Sequence, residues 1–327
     1  INGGLGQLRL VLARPIDNFG EGSEIDLNFR IEVRIIDQET PPAGVLIYQG
    51  FIQSYRQIAR GNDESVEVIC MGYQALFASR LAKSGSNTTV TYTSRDPSYI
   101  VTNTIATLAG RISTSAATIE NTGLSLTYTF RNNSVKEVLD KVIDLSPDGF
   151  YWTTDASNLL YFRKVDYEKP SHTLQLGKDF IEIEIEKSIE KLTNSVYFTG
   201  GGNPNLFRRT VRTSSDSEWG TYENRKTDER VTVNNTADQM ATNILDRYDH
   251  PFTRIKIRLS DSNQAGYPQS GVNIESFAPG QVVLLRNFVD DRSTFWDQAQ
   301  WDVDFWDFHF LGVLANPFII TNISYEY

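Results

Sequence analysis

The stretch from Ser134 to Arg163 leaves the chain least freedom. Ser134 and Glu137 stand three apart, the spacing of a capping box, in which each side chain satisfies a backbone N–H at a helix start. Val135, Val138, Leu139, Val142 and Ile143 follow at i, i+3, i+4, i+7 and i+8, one apolar stripe on a helix. Pro147 ends it, because proline lacks an N–H and clashes with the preceding turn. Gly149-Phe150-Tyr151-Trp152 and Leu159-Leu160-Tyr161-Phe162-Arg163 then flank the polar turn Asp155-Ala156-Ser157-Asn158, which predicts an antiparallel hairpin. A helix that must bury one face, followed at once by an aromatic hairpin that can cover it, predicts a small α+β unit.

Strand patterns dominate on both sides of this unit. Leu8, Leu10 and Leu12 alternate ahead of Arg14-Pro15, and Leu27, Phe29, Ile31, Val33 and Ile35 alternate with Asn28, Arg30, Glu32 and Arg34, which predicts a long strand over 27–35 with one wet face. Val45–Ile52 and Val66–Cys70 give two more strands, with Gly50 marking a bulge or a close backbone approach. Asp96-Pro97 predicts an N-cap and first position for a helix carrying Ile100, Val101, Thr104, Ile105 and Leu108. Residues 111–123 read as a surface loop, and Leu124–Phe130 as a strand. Farther on, Ile181, Ile183 and Ile185 alternate with Glu182, Glu184 and Glu186, while Ile255, Ile257 and Leu259 alternate with Arg254, Lys256 and Arg258. Paired antiparallel in register, these two strands would set acid against base across the ladder. Residues 208–230 read as an exposed charged insertion. Thr236 and Gln239 suggest a second capping box, ahead of a stripe of Ala237, Met240, Ala241, Ile244, Leu245 and Tyr248. Val282–Leu285 and an alternating stretch from Phe318 to Tyr327 predict closing strands.

At 327 residues the chain is long enough for two or three domains. Boundaries fall at 1–82, β-rich; 83–170, α+β with two helices and the hairpin; and 171–327, β-rich with one helix and an aromatic-rich insertion near 290–310. The net charge of −10 argues against binding nucleic acid by neutralising phosphates. The single cysteine, Cys70, excludes an internal disulfide and sits in an apolar strand. The three histidines, His172, His250 and His309, show no ligand spacing, so no metal or other cofactor is expected. Gly200-Gly201-Gly202 runs into Asn203-Pro204 rather than opening a helix, so it is no phosphate cradle. Neither a nucleophile elbow nor a phosphate-loop lysine occurs. A hydrolase with an unmarked carboxylate pair stays open on 41 acidic residues, but nothing singles out a pair. The run of 18 apolar residues that a membrane-spanning helix needs is missing. The chain opens at Ile1 with no signal-peptide pattern, as a segment of a longer product would.

The helix, Asp148-Gly149-Phe150-Tyr151-Trp152, the polar turn and Leu160-Tyr161-Phe162-Arg163, in that order, resemble the small α+β domain of phage tail hub proteins. These baseplate or tail-tip hubs are shared by contractile and long non-contractile tails and are related to the spike hubs of type VI secretion. The resemblance extends to Tyr48-Gln49-Gly50, to the exit Met71–Arg80, and to the Pro279-Gly280 turn and Phe318-Ile319-Ile320-Thr321 strand. It implies an α+β, mainly β fold in which two β-barrel-like tube-forming domains flank the small α+β domain. It further implies a non-enzymatic homotrimer in the virion tail. Such a trimer joins the sixfold tube, or a distal tail protein, to a threefold tip, spike or receptor-binding protein, and passes DNA without binding it specifically. Glu182, Glu184 and Glu186 are then candidates for an acidic channel wall, the cross-strand ladder being the alternative.

One segment stands apart. Phe295–Phe308 holds three of the five tryptophans, Trp296, Trp301 and Trp306, each followed by aspartate and spaced by five. That spacing places successive rings about 140° apart on a helix and on opposite faces of a strand. The rings either pack on their own domain, contact a neighbouring subunit, or form a carbohydrate-stacking platform. The last would make the chain a sugar-binding adhesin module of a tail tip, the alternative function; the hub of a contractile injection machine is a near variant of the first.

Overall fold

A computed structural model describes residues 2–3, 6–12, 26–35, 45–60, 63–108, 112–175, 180–202, 205–259, 277, 280–286 and 318–321. The fold is mainly β with helices, an α+β architecture. The chain divides into two compact units, a larger one of Asn2–Lys164 and Thr193–Asp249 and a smaller one containing Val165–Leu192 and His250–Tyr327.

The larger unit begins with β1 (Asn2–Gly3), β2 (Gln7–Leu12), β3 (Arg30–Ile35), β4 (Val45–Arg60) and β5 (Asp63–Gly72). The last four make one antiparallel sheet in the order β2-β5-β4-β3, curled as half a barrel. Its concave face buries Tyr48, Ile52, Val66, Val68 and Cys70 against Leu8, Leu10, Leu12, Ile31 and Val33, as the alternation predicts. Burial pushes the Cys70 thiol up, which keeps it protonated and inert. Two boundaries differ from expectation. The strand expected from Leu27 starts at Arg30, because Asn28 sits at φ +64° and turns the chain, leaving Leu27 and Phe29 exposed. Strand β4 runs on to Arg60, past its apolar stretch, held by pairing with β5 across a register shift between Ile52 and Ser54. Gly50 is a close approach: a Cβ there would run into the Met71 carbonyl.

Next come α1 (Ala75–Ser79), β6 (Thr89–Arg95), α2 (Pro97–Ala106), β7 (Leu126–Arg131), α3 (Val135–Leu145), β8 (Phe150–Thr154) and β9 (Leu160–Lys164). The capping box of α3 forms, with Glu137 N–H on Ser134 at 3.2 Å and Ser134 N–H on Glu137 at 2.8 Å. Its five stripe residues are buried, each worth about 1.5–3 kcal/mol by area. Strands β8 and β9 pair antiparallel, and Asn158 takes the positive φ their turn requires. Trp152 is fully buried, packs with its ring tilted against that of Phe77 at 5.7 Å, and donates its indole N–H to Asp140 at 3.0 Å. Asp96 caps α2 as predicted. The expected loop 111–123 is built into the fold where it is described: Ile112 and Thr118 are buried, and Ser113, Thr118 and Glu120 bond along the free side of β9. Asp96 also anchors it, accepting from Thr122 Oγ1 at 2.8 Å and Leu124 N–H at 3.1 Å.

The smaller unit starts with β10 (His172–Gln175) and β11 (Phe180–Ser188). The chain then returns to the larger unit as β12 (Ser195–Gly200), β13 (Phe207–Val211), α4 (Thr213–Trp219), β14 (Glu223–Asp228) and α5 (Asn234–Tyr248). Strand β12 lies between antiparallel β13 and parallel β14, and α5 packs Ala241 and Leu245 on Val196. The expected exposed insertion 208–230 is therefore two strands and a helix. The expected second capping box is absent: α5 starts at Asn234, with Val233 as N-cap and no side-chain cap. Thr236 is instead buried inside the helix.

The smaller unit is completed by β15 (Phe252–Leu259), β16 (Val282–Arg286) and β17 (Phe318–Ile319). Its described strands form two small sheets, β10-β16-β17 and β11-β15. Leu174, Phe277, Val283 and Leu285 centre its core, with Ile183, Ile185, Ile255 and Ile257 packed against them. Among the described residues, closed barrels do not appear: the half-barrel is the largest sheet, and the others have two or three strands each.

Candidate interaction surfaces

The strongest polar constellation lies inside the larger unit. Asp228 ends β14 with 4% of its side chain exposed. Its carboxylate accepts the Tyr128 hydroxyl at 2.8 Å, pairs with Lys141 Nζ of α3 at 2.7 Å, and takes Arg230 Nε at 3.0 Å. Both cations also lie over the Tyr128 ring, at 5.4 and 5.1 Å. Burial raises the Asp228 carboxyl, but the bonds from Lys141, Arg230 and Tyr128 outweigh it and hold the group at about 2. Burial, and then the Asp228 charge, push the Tyr128 hydroxyl far above its ordinary value. At neutral pH neither group exchanges a proton, so the cluster is a structural tie rather than an acid–base pair. It fastens β14 to β7 and α3. Arg247 and Asn243 of α5 add to it by capping the Ile143 carbonyl at 2.6 Å and the Asp144 carbonyl at 3.2 Å. Asp144, Arg225, Lys226, Met240, Ile244 and Arg247 are among the residues lining a shallow groove of about 360 Å³ beside α5.

The sheet β13-β12-β14 has one face on α5 and the other open. Tyr197 and Thr199 of β12 share the open face with Phe207, Arg209 and Val211 of β13 and with Glu223 and Arg225 of β14, because cross-strand partners point to one side. Phe207 is 61% exposed and Val211 39%. The Phe207 ring lies 6.2 Å from that of Tyr197, and the Arg209 guanidinium covers the other ring at 5.1 Å. Glu223 accepts the Tyr197 hydroxyl at 3.0 Å. Arg209, Val211, Glu223 and Arg225 of this face lie within 208–230, the stretch that reads as an insertion from sequence. Its available signal was the alternation Phe207, Arg209, Val211.

The sequence-predicted site residues fall in two places. Glu182, Glu184 and Glu186 stand directly opposite Arg258, Lys256 and Arg254 in the antiparallel β11-β15 ladder. All three carboxylates are exposed, with Lys256 Nζ 3.7 Å from Glu184 and Arg258 4.0 Å from Glu182. Exposed pairs of this kind contribute about 0–1 kcal/mol, so the ladder is a charge-balanced surface. Trp296, Trp301 and Trp306 lie outside the described residues. His172 is half-buried, its ring nitrogen 2.9 Å from Gln281 Oε1 and its ring 4.2 Å from Phe277. Among the described residues, neither a group of acidic, histidine or cysteine side chains suited to a metal nor a helix long and apolar enough to cross a membrane is present.

With this geometry established, comparison with known proteins gives the fold a context. No family model matches the chain, and no curated protein matches its sequence. Solved structures do match. The 43 kDa tail protein of prophage MuSo2 from Shewanella oneidensis superposes with a TM-score of 0.56 over 85% of this chain and 79% of its own, at 12% identity. The tail protein from Neisseria meningitidis MC58 superposes with a TM-score of 0.51 over 74% of this chain and 71% of its own, at 14% identity. The chain shares their fold. Identity this low carries the architecture alone.

Proposed function

We propose that this chain is a structural, non-enzymatic subunit of a phage tail, acting as the hub at the tail tip. The observation that carries the reading is the fold shared with the 43 kDa tail protein along 85% of the chain. The resemblance of the α3–β8–β9 unit to tail hubs supports the narrower assignment to the tip. In this reading the chain is a homotrimer. Each copy offers the half-barrel sheet of the larger unit and the β-rich smaller unit as two tube-like lobes, so three copies present six to the tail tube or a distal tail protein. A threefold tip, spike or receptor-binding protein binds below. Contacts between copies would use sheet edges and apolar faces.

DNA would pass through the ring without specific binding, consistent with the net charge of −10. If Glu182, Glu184 and Glu186 line that passage, they do so with Arg254, Lys256 and Arg258 beside them, as a zwitterionic wall rather than a purely negative one. Sedimentation velocity over a wide concentration range and negative-stain electron microscopy test the reading. The expected result is a trimer that images as a ring with a central hole. A chain that stays monomeric at every concentration, and whose tryptophan fluorescence is quenched by oligosaccharides, would replace it with the adhesin reading.

A further inference from the structure

The open face of β13-β12-β14 has the wrong charge for the molecule it belongs to. The chain carries 41 acidic and 31 basic residues. This face presents two guanidinium groups, Arg209 and Arg225, against one carboxylate, Glu223, which already accepts the Tyr197 hydroxyl. Among the described residues neither arginine has an ion-pair partner, whereas the nearby Arg208, Arg212 and Arg230 are all paired. Tyr197 lies between the two across the sheet, Phe207 and Val211 flank Arg209 along β13, and the exposed Phe207 ring is the largest apolar group on the face. An exposed ring beside arginines without ion-pair partners is what an interface centre uses, since Arg and aromatic groups carry most binding energy. The matching surface must bring rings and negative charge together.

One stretch of this chain has that composition. Residues 295–308 contain Asp297, Asp302, Asp304 and Asp307, six aromatic rings, and not one lysine or arginine. We propose that the Phe207–Arg209–Arg225 face is the docking surface for residues 295–308 of a second copy of this chain. The two surfaces differ, so the contact is head-to-tail, the kind that closes rings. The inference rests on the ring reading above and names the contact that would build it.

A fluorescent peptide of residues 295–308 titrated with the full chain is the direct probe. It should bind saturably and more weakly as salt rises. Binding should fall roughly tenfold or more with R209E/R225E, with F207A, or with a peptide whose four aspartates are asparagine. All three side chains are exposed, so an unchanged thermal melt will show the variants folded. In sedimentation, R209E/R225E should lose the self-association of the unaltered chain. Equal peptide binding by R209E/R225E, or unchanged self-association, overturns the inference while leaving the ring standing. An unaltered chain that never associates removes the ring and this contact together. That holds even if it binds the peptide, since the contact between copies would then not exist.

Discussion

Asp228 is the side chain on which the larger unit most depends. Its three partners come from β7, α3 and the turn after β14. Asparagine at this position keeps the shape but removes the charge, leaving Lys141, with 13% of its side chain exposed, facing no carboxylate. Removing one member of a buried pair costs about 3–5 kcal/mol, and the depression from 3.8 to about 2 corresponds to about 2 kcal/mol. D228N is therefore expected to lose about 2–4 kcal/mol at pH 7, read from urea unfolding. The folded-state value lies below the unfolded one. The stabilisation is thus complete above about pH 4 and fades as pH falls toward 2. D228N should lose less stability across that window than the unaltered chain, since its other carboxylates still titrate there. By contrast Y128F removes one donor and leaves both cations, so about 1 kcal/mol is expected. Gly50 tests a different force. A methyl group there meets the Met71 carbonyl across the β4-β5 pair, backbone against backbone, and neither strand has a flexible end to move. G50A should cost roughly 3 kcal/mol by forcing the strands apart. An unfolding midpoint equal to that of the unaltered chain would show that the sheet yields there.

Helix α5 shows which elements announce themselves in sequence and which do not. For α3 two signals coincide, a capping box and a five-residue stripe, and both are seen in the structure. For α5 the stripe is real, but the Thr-x-x-Gln spacing is not a cap: Thr236 is buried a turn too late, and Val233 holds the N-cap position at φ −117° and ψ 128° without an acceptor side chain. Val233 is 40% exposed. Serine there would accept from the first turn, so V233S should stabilise by about 1 kcal/mol and raise the melting temperature; a fall would mean that the valine packs on something that matters more. Strands β13 and β14 escape sequence reading for a related reason. Their helix-facing positions are polar or charged: on β13 Arg208 Nη2 reaches Asp238 of α5 at 2.7 Å, Arg212 just beyond the strand reaches Asp246 of α5 and Asp249 at its C-terminal end, and β14 turns Asn224, Lys226 and Asp228 to the same side. Hydrophobic alternation is silent where a helix supplies counter-ions instead of apolar side chains. The open face that carries Phe207 and Arg209 lies on these strands and was hidden with them. The Glu182–Glu186 and Arg254–Arg258 pattern was legible because both strands keep isoleucine on the other face, and the in-register pairing follows from it.

At the scale of the whole molecule, the chain leaves the larger unit after Lys164, enters the smaller one, returns at Thr193 and leaves again after Asp249. Each unit has its own apolar cluster: Phe77, Tyr128, Leu139, Trp152 and Phe162 are among the centre of the larger one, and Leu174, Phe277, Val283 and Leu285 form that of the smaller. Separate cores joined by a chain that crosses between them three times predict separate cooperative transitions, because each apolar cluster lies within its own unit. Calorimetry should therefore resolve two transitions. D228N supplies the assignment: its buried partners all lie in the larger unit, so only one transition should move, and it should be the one with the larger enthalpy, since enthalpy scales with the residues unfolded. If a single transition shifts as a whole, the two units unfold together and the interrupted path of the chain couples them. If the smaller-enthalpy transition is the one that moves, the Asp228 tie does not hold the unit in which it lies. Salt separates the units a second way. The β11-β15 ladder is exposed and screened, whereas the Asp228 cluster is buried. Raising ionic strength should therefore act on the smaller unit's transition and leave the Asp228-dependent shift of the larger one in place.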